Sequence, residues 1–394
     1  MVEPMDSKKT AFCFILLFFL NVVVPTNLVC QNILYHPRPD DSLSGRWDWA
    51  VKEANQKGIR NGFWIGYSIM CLMEEDSYIC MTEKYSMSGS FSHHVFLKGE
   101  ALEKILYGKE ASVSLSEEEQ LKRVAKDALR ELEGRKRSRK KVWKEVAVLS
   151  KFKAGNSKIP DTINYGNITI PFDLHGNPLL WLDKAKDRES VSFLQSLYAK
   201  KAGEILKKKV LSTIGIHSDS DIVVPVLEKV LTGSESDSIR ARAASELGDH
   251  DTEHVVELLS RTVKNDRSYE VRKKALYSLE DIDLPGATDA LIEIARNANN
   301  AKLRQKAISC LGDKASRKAV SALEDFVYDD DDTEVQKRAV YALEDLPNGE
   351  GIPYLIKIAN SHPKSNIRKR AIYCLGDSSD PRALEALIKI LKKK

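Results

Sequence analysis

One pattern returns at a fixed step of 32 residues through the C-terminal part of this 394-residue chain. It is read at Ile239-Arg240, Val271-Arg272, Leu303-Arg304, Val335-Gln336 and Ile367-Arg368. Each pair leads to an alanine (Ala243, Ala275, Ala307, Ala339, Ala371) and a leucine (Leu247, Leu279, Leu311, Leu343, Leu375). Each copy then closes on aspartate: Asp249, Asp281, Asp313, Asp345 and Asp377. A unit of this length cannot bury its apolar face alone, so the copies must stack. The spacing predicts two antiparallel helices per copy and an all-α superhelical solenoid over residues 183–394.

The helix starts are marked by capping residues. Ser220, Thr252, Leu284, Ser316, Asn348 and Asp380 precede the first helices, with Pro285 and Pro381 at the first helical position. Ser236, Ser268, Asn300 and Asp332 precede the second helices. Asp329 to Asp332 is therefore an acidic helix start; the spacing and glycine of a calcium loop are missing.

On a helical wheel the second helix buries columns 239, 243, 244 and 247, and Arg240, Arg272, Arg304 and Arg368 fall inside that stripe. A charge there needs a partner. The expected partners are Asp249, Asp281, Asp313, Asp345 and Asp377, giving a structural Arg–Asp ladder. Away from the stripe, Arg242, Lys274, Lys306, Arg338 and Arg370 recur beside Ser245, Tyr277, Ser309, Tyr341 and Tyr373. Lys273 and Tyr277, Lys337 and Tyr341, and Lys369 and Tyr373 are i, i+4 neighbours. Arg242, Lys274, Tyr277, Lys306, Arg338, Tyr341, Arg370 and Tyr373 form the candidate binding groove. The plain alternative is a solvated, Lys-rich helix face. A second step of 64 is also present: Gly248, Gly312 and Gly376 alternate with Glu280 and Glu344, and Cys310 and Cys374 follow it. Duplication of a repeat pair and alternating packing both account for it.

Ile-Arg-x-x-Ala-x-x-x-Leu-Gly-Asp at 239–249, echoed down to 367–377, resembles the bacterial HEAT repeats, including the phycobilisome-lyase-like class. The resemblance implies a binding scaffold, and the whole layout looks like secreted HEAT-repeat proteins of Gram-negative bacteria. Deoxyhypusine hydroxylase is a similar solenoid whose di-iron site uses His-Glu pairs. None of the eight histidines here is followed by Glu. The bilin lyases act on cytosolic substrates, which conflicts with the N-terminus of this chain.

Lys8-Lys9, the apolar run Ala11 to Val24 and the polar exit at Pro25 predict a signal peptide, residues 1–30, with cleavage after Cys30. Lipidation of Cys30 and an uncleaved anchor are alternatives. The mature chain is expected to be exported, periplasmic or secreted. Residues 31–115 read as a small α+β domain: a helix over Trp47 to Lys57, strands over Phe63–Met73 and Tyr78–Met87, and a third strand at His93–Leu97. A symmetrical hairpin about Glu74–Ser77 would set Cys71 opposite Cys80, as a disulfide or as two free thiols. Residues 116–182 read as a capped helix plus a hairpin connector. Ser116–Glu119 opens a helix running to about Ser150 that contains the basic run Arg135–Lys141, and Asn167-Ile168-Thr169 matches a glycan acceptor.

Net charge is only +4 and says little about partners, while 42% hydrophobic against 30% charged residues predicts a folded chain. Behind a signal peptide, the basic run Arg135–Lys141 suits a solvated helix or an anionic partner better than nucleic acid. No catalytic residue, metal ligand or cofactor is assigned. The favoured function is a non-enzymatic binding scaffold of the cell envelope, engaging a protein or anionic partner through the second-helix face. The alternative is an enzyme, hydrolase- or lyase-type, with its active site in the N-terminal α+β domain and the repeats as platform.

Overall fold

The computed structural model describes residues 28–29, 33–35, 41–59, 62–74, 79–81, 141–153, 159–168, 172–174, 177–200 and 203–392. The apolar run Ala11 to Val24, the strand expected at His93–Leu97, the cap at Ser116–Glu119 and most of the basic run from Arg135 lie outside them. The chain divides into two compact units at Asp219/Ser220. Among the described residues, no helix is long and apolar enough to cross a membrane.

The first unit is built on a six-stranded sheet. Its strands are β2 (Ile33–Tyr35), β3 (Phe63–Glu74), β4 (Cys80–Met81), β5 (Lys141–Phe152), β6 (Thr162–Asn167) and β8 (Leu179–Lys184), in the order β2-β8-β3-β5-β6-β4. A further pair, β1 (Leu28–Val29) and β7 (Phe172–Asp173), is parallel. β3 and β5 pair antiparallel along their full length, from Phe63 opposite Phe152 to Glu74 opposite Lys141. This corrects the helix expected to reach Ser150. From Lys141 onward the chain alternates Val142, Lys144, Val146 and Val148 against Trp143, Glu145, Ala147 and Leu149, a period-two pattern rich in β-branched residues.

The hairpin that would oppose Cys71 and Cys80 is also absent. Cys71 lies opposite Lys144 of β5, Cys80 opposite Gly166 of β6, and β5 and β6 stand between β3 and β4. With strands spaced about 4.8 Å, three steps put the two backbones far beyond disulfide reach. Cys71 is a buried free thiol. Asn167 is not an available glycan acceptor either: it is 2% exposed and its Oδ1 accepts the Ile79 amide at 2.6 Å.

Among the described residues this unit also holds helices α1 (Leu43–Gln56), α2 (Asp187–Ala199) and α3 (Glu204–Gly215). α1 buries Leu43, Trp47, Ala50 and Ala54, one helical face. Trp47 meets Phe193 of α2 at 4.6 Å and Phe152 at 5.7 Å, while Phe63 stacks on Phe152 at 4.8 Å. The aromatics are thus core. α2 and α3, which the sequence reading placed at the start of the array, fall within this first unit, and Lys209 of α3 bonds Thr162 at 2.5 Å.

The second unit holds the array. First helices are α4 (Ser220–Leu231), α6 (Glu253–Asn265), α8 (Pro285–Asn297), α10 (Arg317–Asp329), α12 (Ile352–Ser361) and α14 (Pro381–Lys392). Second helices are α5 (Asp237–Leu247), α7 (Tyr269–Asp281), α9 (Ala301–Lys314), α11 (Thr333–Glu344) and α13 (Ser365–Asp377). Thr252, Ser316, Ser236, Asn300 and Asp332 cap as their positions predict, each accepting an amide of the first turn. Asn348 does not. It sits at φ +56° in the short turn Pro347–Gly349, and α12 starts four residues later.

The junctions between successive repeats explain the step of 64. α5 and α7 pack closely, as do α9 and α11, whereas α7–α9 and α11–α13 are looser. A Cβ on Gly248 would lie 2.9 Å from Ser278 Cβ, and one on Gly312 would lie 2.9 Å from the Ala342 carbonyl. The looser junctions carry Glu at that column, with Glu280 beside Cys310 and Glu344 beside Cys374.

The arginine column alternates in step. Its partners are not the closing aspartates. Arg240 pairs with Asp266 and, at 2.7 Å, with Asp237; Arg304 takes Asp330 through both carboxylate oxygens at 3.0 and 2.8 Å. The closing aspartate lies nine residues along the same helix, about 13 Å away, and second helices stack in parallel. An arginine in the first turn therefore meets the loop between the two helices of the next repeat. That column holds Asp266 and Asp330 at the close junctions but Ala298 and His362 at the loose ones. Arg272 Nε has no hydrogen-bond partner among the described residues, and Arg368 donates to the carbonyls of His362 and Pro363.

Two outcomes follow in denaturant melts. Arg304→Ala loses about 1.5–3 kcal/mol, the scale of hydrogen bonds to a charged group, and Asp330→Ala in the same chain adds little, while Arg272→Ala costs well below that. Gly312→Ala costs about 1–3 kcal/mol through overpacking. Gly376→Ala, at the same column with nothing within 4 Å of the new Cβ, is neutral or stabilising by up to about 1 kcal/mol.

Candidate functional site

The predicted groove residues lie on the second helices, one set per layer, and the structure links them between layers. Lys306 Nζ donates to Tyr277 Oη at 2.8 Å, Arg338 Nε to Ser309 Oγ at 2.7 Å, and Arg370 to Tyr341 Oη. Each bond joins a cation to the hydroxyl 29 residues earlier. The same cations lie over rings: Lys306 is 5.3 Å from the Tyr277 centroid, and Arg370 is 4.7 Å from Tyr341 and 5.8 Å from Tyr373. Arg242, in the first layer, instead pairs with Glu246 at 3.2 Å.

The i, i+4 Lys–Tyr pairing expected within each helix is not what forms. Lys273 and Lys337 turn to Glu270 at 2.5 Å and Glu334 at 2.7 Å, three residues earlier, where a carboxylate offers more than a phenol. That leaves Tyr277 and Tyr341 to the next layer. The tyrosine-to-cation bond raises the Lys306 pKa, while burial and the charges of Arg242 and Lys273 lower that of Lys274.

Asp249, Asp281, Asp313, Asp345 and Asp377 all reach solvent at the far end of the same helices. They lie seven residues, about 10 Å, from the basic column. The face therefore carries a basic rail and an acidic rail with hydroxyls between them. Asp377 beside Tyr373 raises that hydroxyl's pKa. Sequence reasoning assigned the aspartates to a ladder because it placed them on the wheel but not against the neighbouring layer.

Two buried polar groupings escaped the sequence. Arg46, in the apolar stripe of α1, donates to the carbonyls of Leu182 and Lys184 and pairs with Glu189 at 3.5 Å. Ser190 Oγ lies 2.9 Å from both Tyr67 Oη and His217 Nε2. The latter contact has the reach of a nucleophile and base. Yet Ser190, Tyr67 and His217 are at most 1% exposed, and His217 Nδ1 is held by the Ile214 carbonyl at the end of α3. Ser220 Oγ also meets a histidine, at 3.0 Å, but through Nδ1 of His250. Burial of all three groups makes the Ser190 contact a packing lock. Among the described residues, no three His, Cys, Asp or Glu side chains converge as a metal site.

The family model for HEAT repeats matches residues 224–312, 288–348 and 320–394. No curated protein matches the chain. Among solved structures, YibA of E. coli is 18% identical, with 50% of this chain and 71% of that one covered and a TM-score of 0.29. The CpcE–CpcF complex of phycocyanin lyase from Nostoc is 19% identical, with 51% and 80% covered and a TM-score of 0.31. Human deoxyhypusine hydroxylase is 15% identical, with 48% and 84% covered and a TM-score of 0.26. Likeness of this degree says nothing about activity. Residues 224–394 are HEAT repeats, and the chain is a HEAT-repeat solenoid preceded in sequence by a small α+β domain.

Proposed function

We propose that this chain is a non-enzymatic binding scaffold of the cell envelope, engaging a protein or other anionic partner through the second-helix face. The observation that carries this reading is the inter-layer bonding of the basic rail. Lys306 and Arg370 are held by the tyrosine of the preceding layer and Arg338 by its serine, so their charges are already ordered before a partner arrives. Preordering removes part of the entropy that binding costs. Tyrosine adds contact area with few torsions to freeze. The envelope placement rests on Lys8-Lys9 and the apolar run that follows. Cleavage after Cys30 would remove β1 and leave β2 in the sheet.

The reading is tested by immobilising wild type and a Lys274→Glu, Lys306→Glu, Arg338→Glu variant and passing envelope extract over both at low and high salt. The wild type retains a partner whose affinity falls steeply with salt; the variant binds at least about tenfold more weakly, with a flatter salt response. A melt of each protein accompanies the titration, since Lys306 and Arg338 also tie layers together. Equal retention by two folded proteins would remove the rail from the binding surface. Intact-mass measurement of the chain expressed in a Gram-negative host tests the compartment: a mature N-terminus at Gln31 is expected, and a soluble cytosolic product starting at Met1 contradicts export.

A further inference from the structure

Helix α14 carries more apolar surface than the array covers. It rests on α12 and α13 of the preceding repeat, burying Ala383 and Ala386 and half-burying Leu387 and Ile390. Beside these on the wheel, Leu384, Ile388 and Leu391 are 63, 44 and 71% exposed. The apolar sector spans about 200° of the helix, roughly twice what a surface helix needs to face its own core.

The same columns are covered elsewhere in the array. Column 384 holds Val256, Thr288, Val320 and Ile352 in the four preceding repeats, and none is more than 8% exposed. Column 391 holds Val263, Ala295, Val327 and Ala359, at most 6% exposed. Each of those first helices packs against the second helix of its own repeat. Among the described residues no second helix lies against α14, yet it keeps leucine at both positions. A face left to solvent has no use for them. We propose that α14 is a self-association face: a second copy of this chain lays its own α14 antiparallel against it, about a two-fold axis between Leu387 and Ile388.

The stripe Leu384, Leu387, Ile388 and Leu391 has the same spacing read in either direction. That axis sets Leu384 against the copy's Leu391 and Leu387 against its Ile388, so one patch complements itself. An unrelated partner requires no such palindrome. Charge selects the antiparallel sense. Glu385, Lys389 and Lys392 lie on one flank of the stripe, where Glu385 and Lys389 pair at 2.6 Å while both stay well exposed. The two-fold turns this flank toward its own counterpart. Glu385 then falls between the copy's Lys389 and Lys392, offset along the axis by about 1.5 and 3 Å. In a parallel pair the same flank would meet the uncharged side that holds Ala383 and Leu387. Antiparallel packing also repeats what a second helix does to a first within each repeat.

Sedimentation velocity of the purified chain between about 1 and about 100 μM tests the proposal, since one helix pair makes a small interface of micromolar strength. The mass is expected to double across that range. Leu384→Ser with Leu391→Ser raises the dimer dissociation constant by at least about tenfold and leaves the melt of the single chain unchanged, because both leucines are exposed there. Ile388→Cys, treated with a short bismaleimide, links to its own counterpart above the wild-type background. Leu384→Cys links efficiently only when mixed with Leu391→Cys. Should the serine variant fold poorly, the cysteine pattern decides alone. A monomer at every concentration overturns the proposal, whatever other protein adheres to the face. So does a dimer that survives in the folded serine variant, or Leu384→Cys linking to itself better than to Leu391→Cys.

Discussion

The array depends on the column where neighbouring second helices touch. Leu247, Leu279, Leu311, Leu343 and Leu375 are at most 1% exposed, and the alanines of the same stripe are equally buried. Each such leucine contributes about 1.5–3 kcal/mol when withdrawn from water, but only if another layer covers it. No single helix pair supplies that cover, so stability belongs to junctions rather than to repeats. What occupies column 248 then sets how near the layers come. Glycine admits the next backbone, and glutamate keeps it away.

That steric difference propagates. Where layers are close, Arg240 and Arg304 reach carboxylates in the next inter-helix loop; where they are looser, the corresponding position offers none. The result is an array of two-repeat modules. Spacing, ion pairing and the placing of buried thiols all change together at every second junction. On the outer side of the same helices, cations bridge to the preceding layer's hydroxyls regardless of the alternation, so the basic rail crosses close and loose junctions alike.

In the first unit, a sheet with aromatic packing on one face is held by polar locks that are themselves buried. Arg46 answers carbonyls at the end of β8 and the carboxylate of Glu189, which ties α1 and α2 to the same strand. Such a charge is tolerable because both guanidinium NH groups find acceptors, while Nε has no hydrogen-bond partner among the described residues. The Ser190–His217 contact belongs to this class. Its chemistry resembles a catalytic pair, but its burial assigns it to packing.

The sequence by itself determined the period, the two-helix unit, most helix caps and the buried columns, because these depend on residues within one helix or one turn. It also located the basic and tyrosine columns. The partners of those columns were decided by tertiary structure: a wheel shows which side a residue faces but not the axial level at which the next layer meets it. Hence Arg304 finds Asp330 instead of a closing aspartate, and Lys306 finds Tyr277. The same reason governs the sheet. Strand order is a long-range choice, so the local hairpin symmetry around Glu74–Ser77 could not reveal that β5 and β6, more than sixty residues later in the chain, would come between β3 and β4.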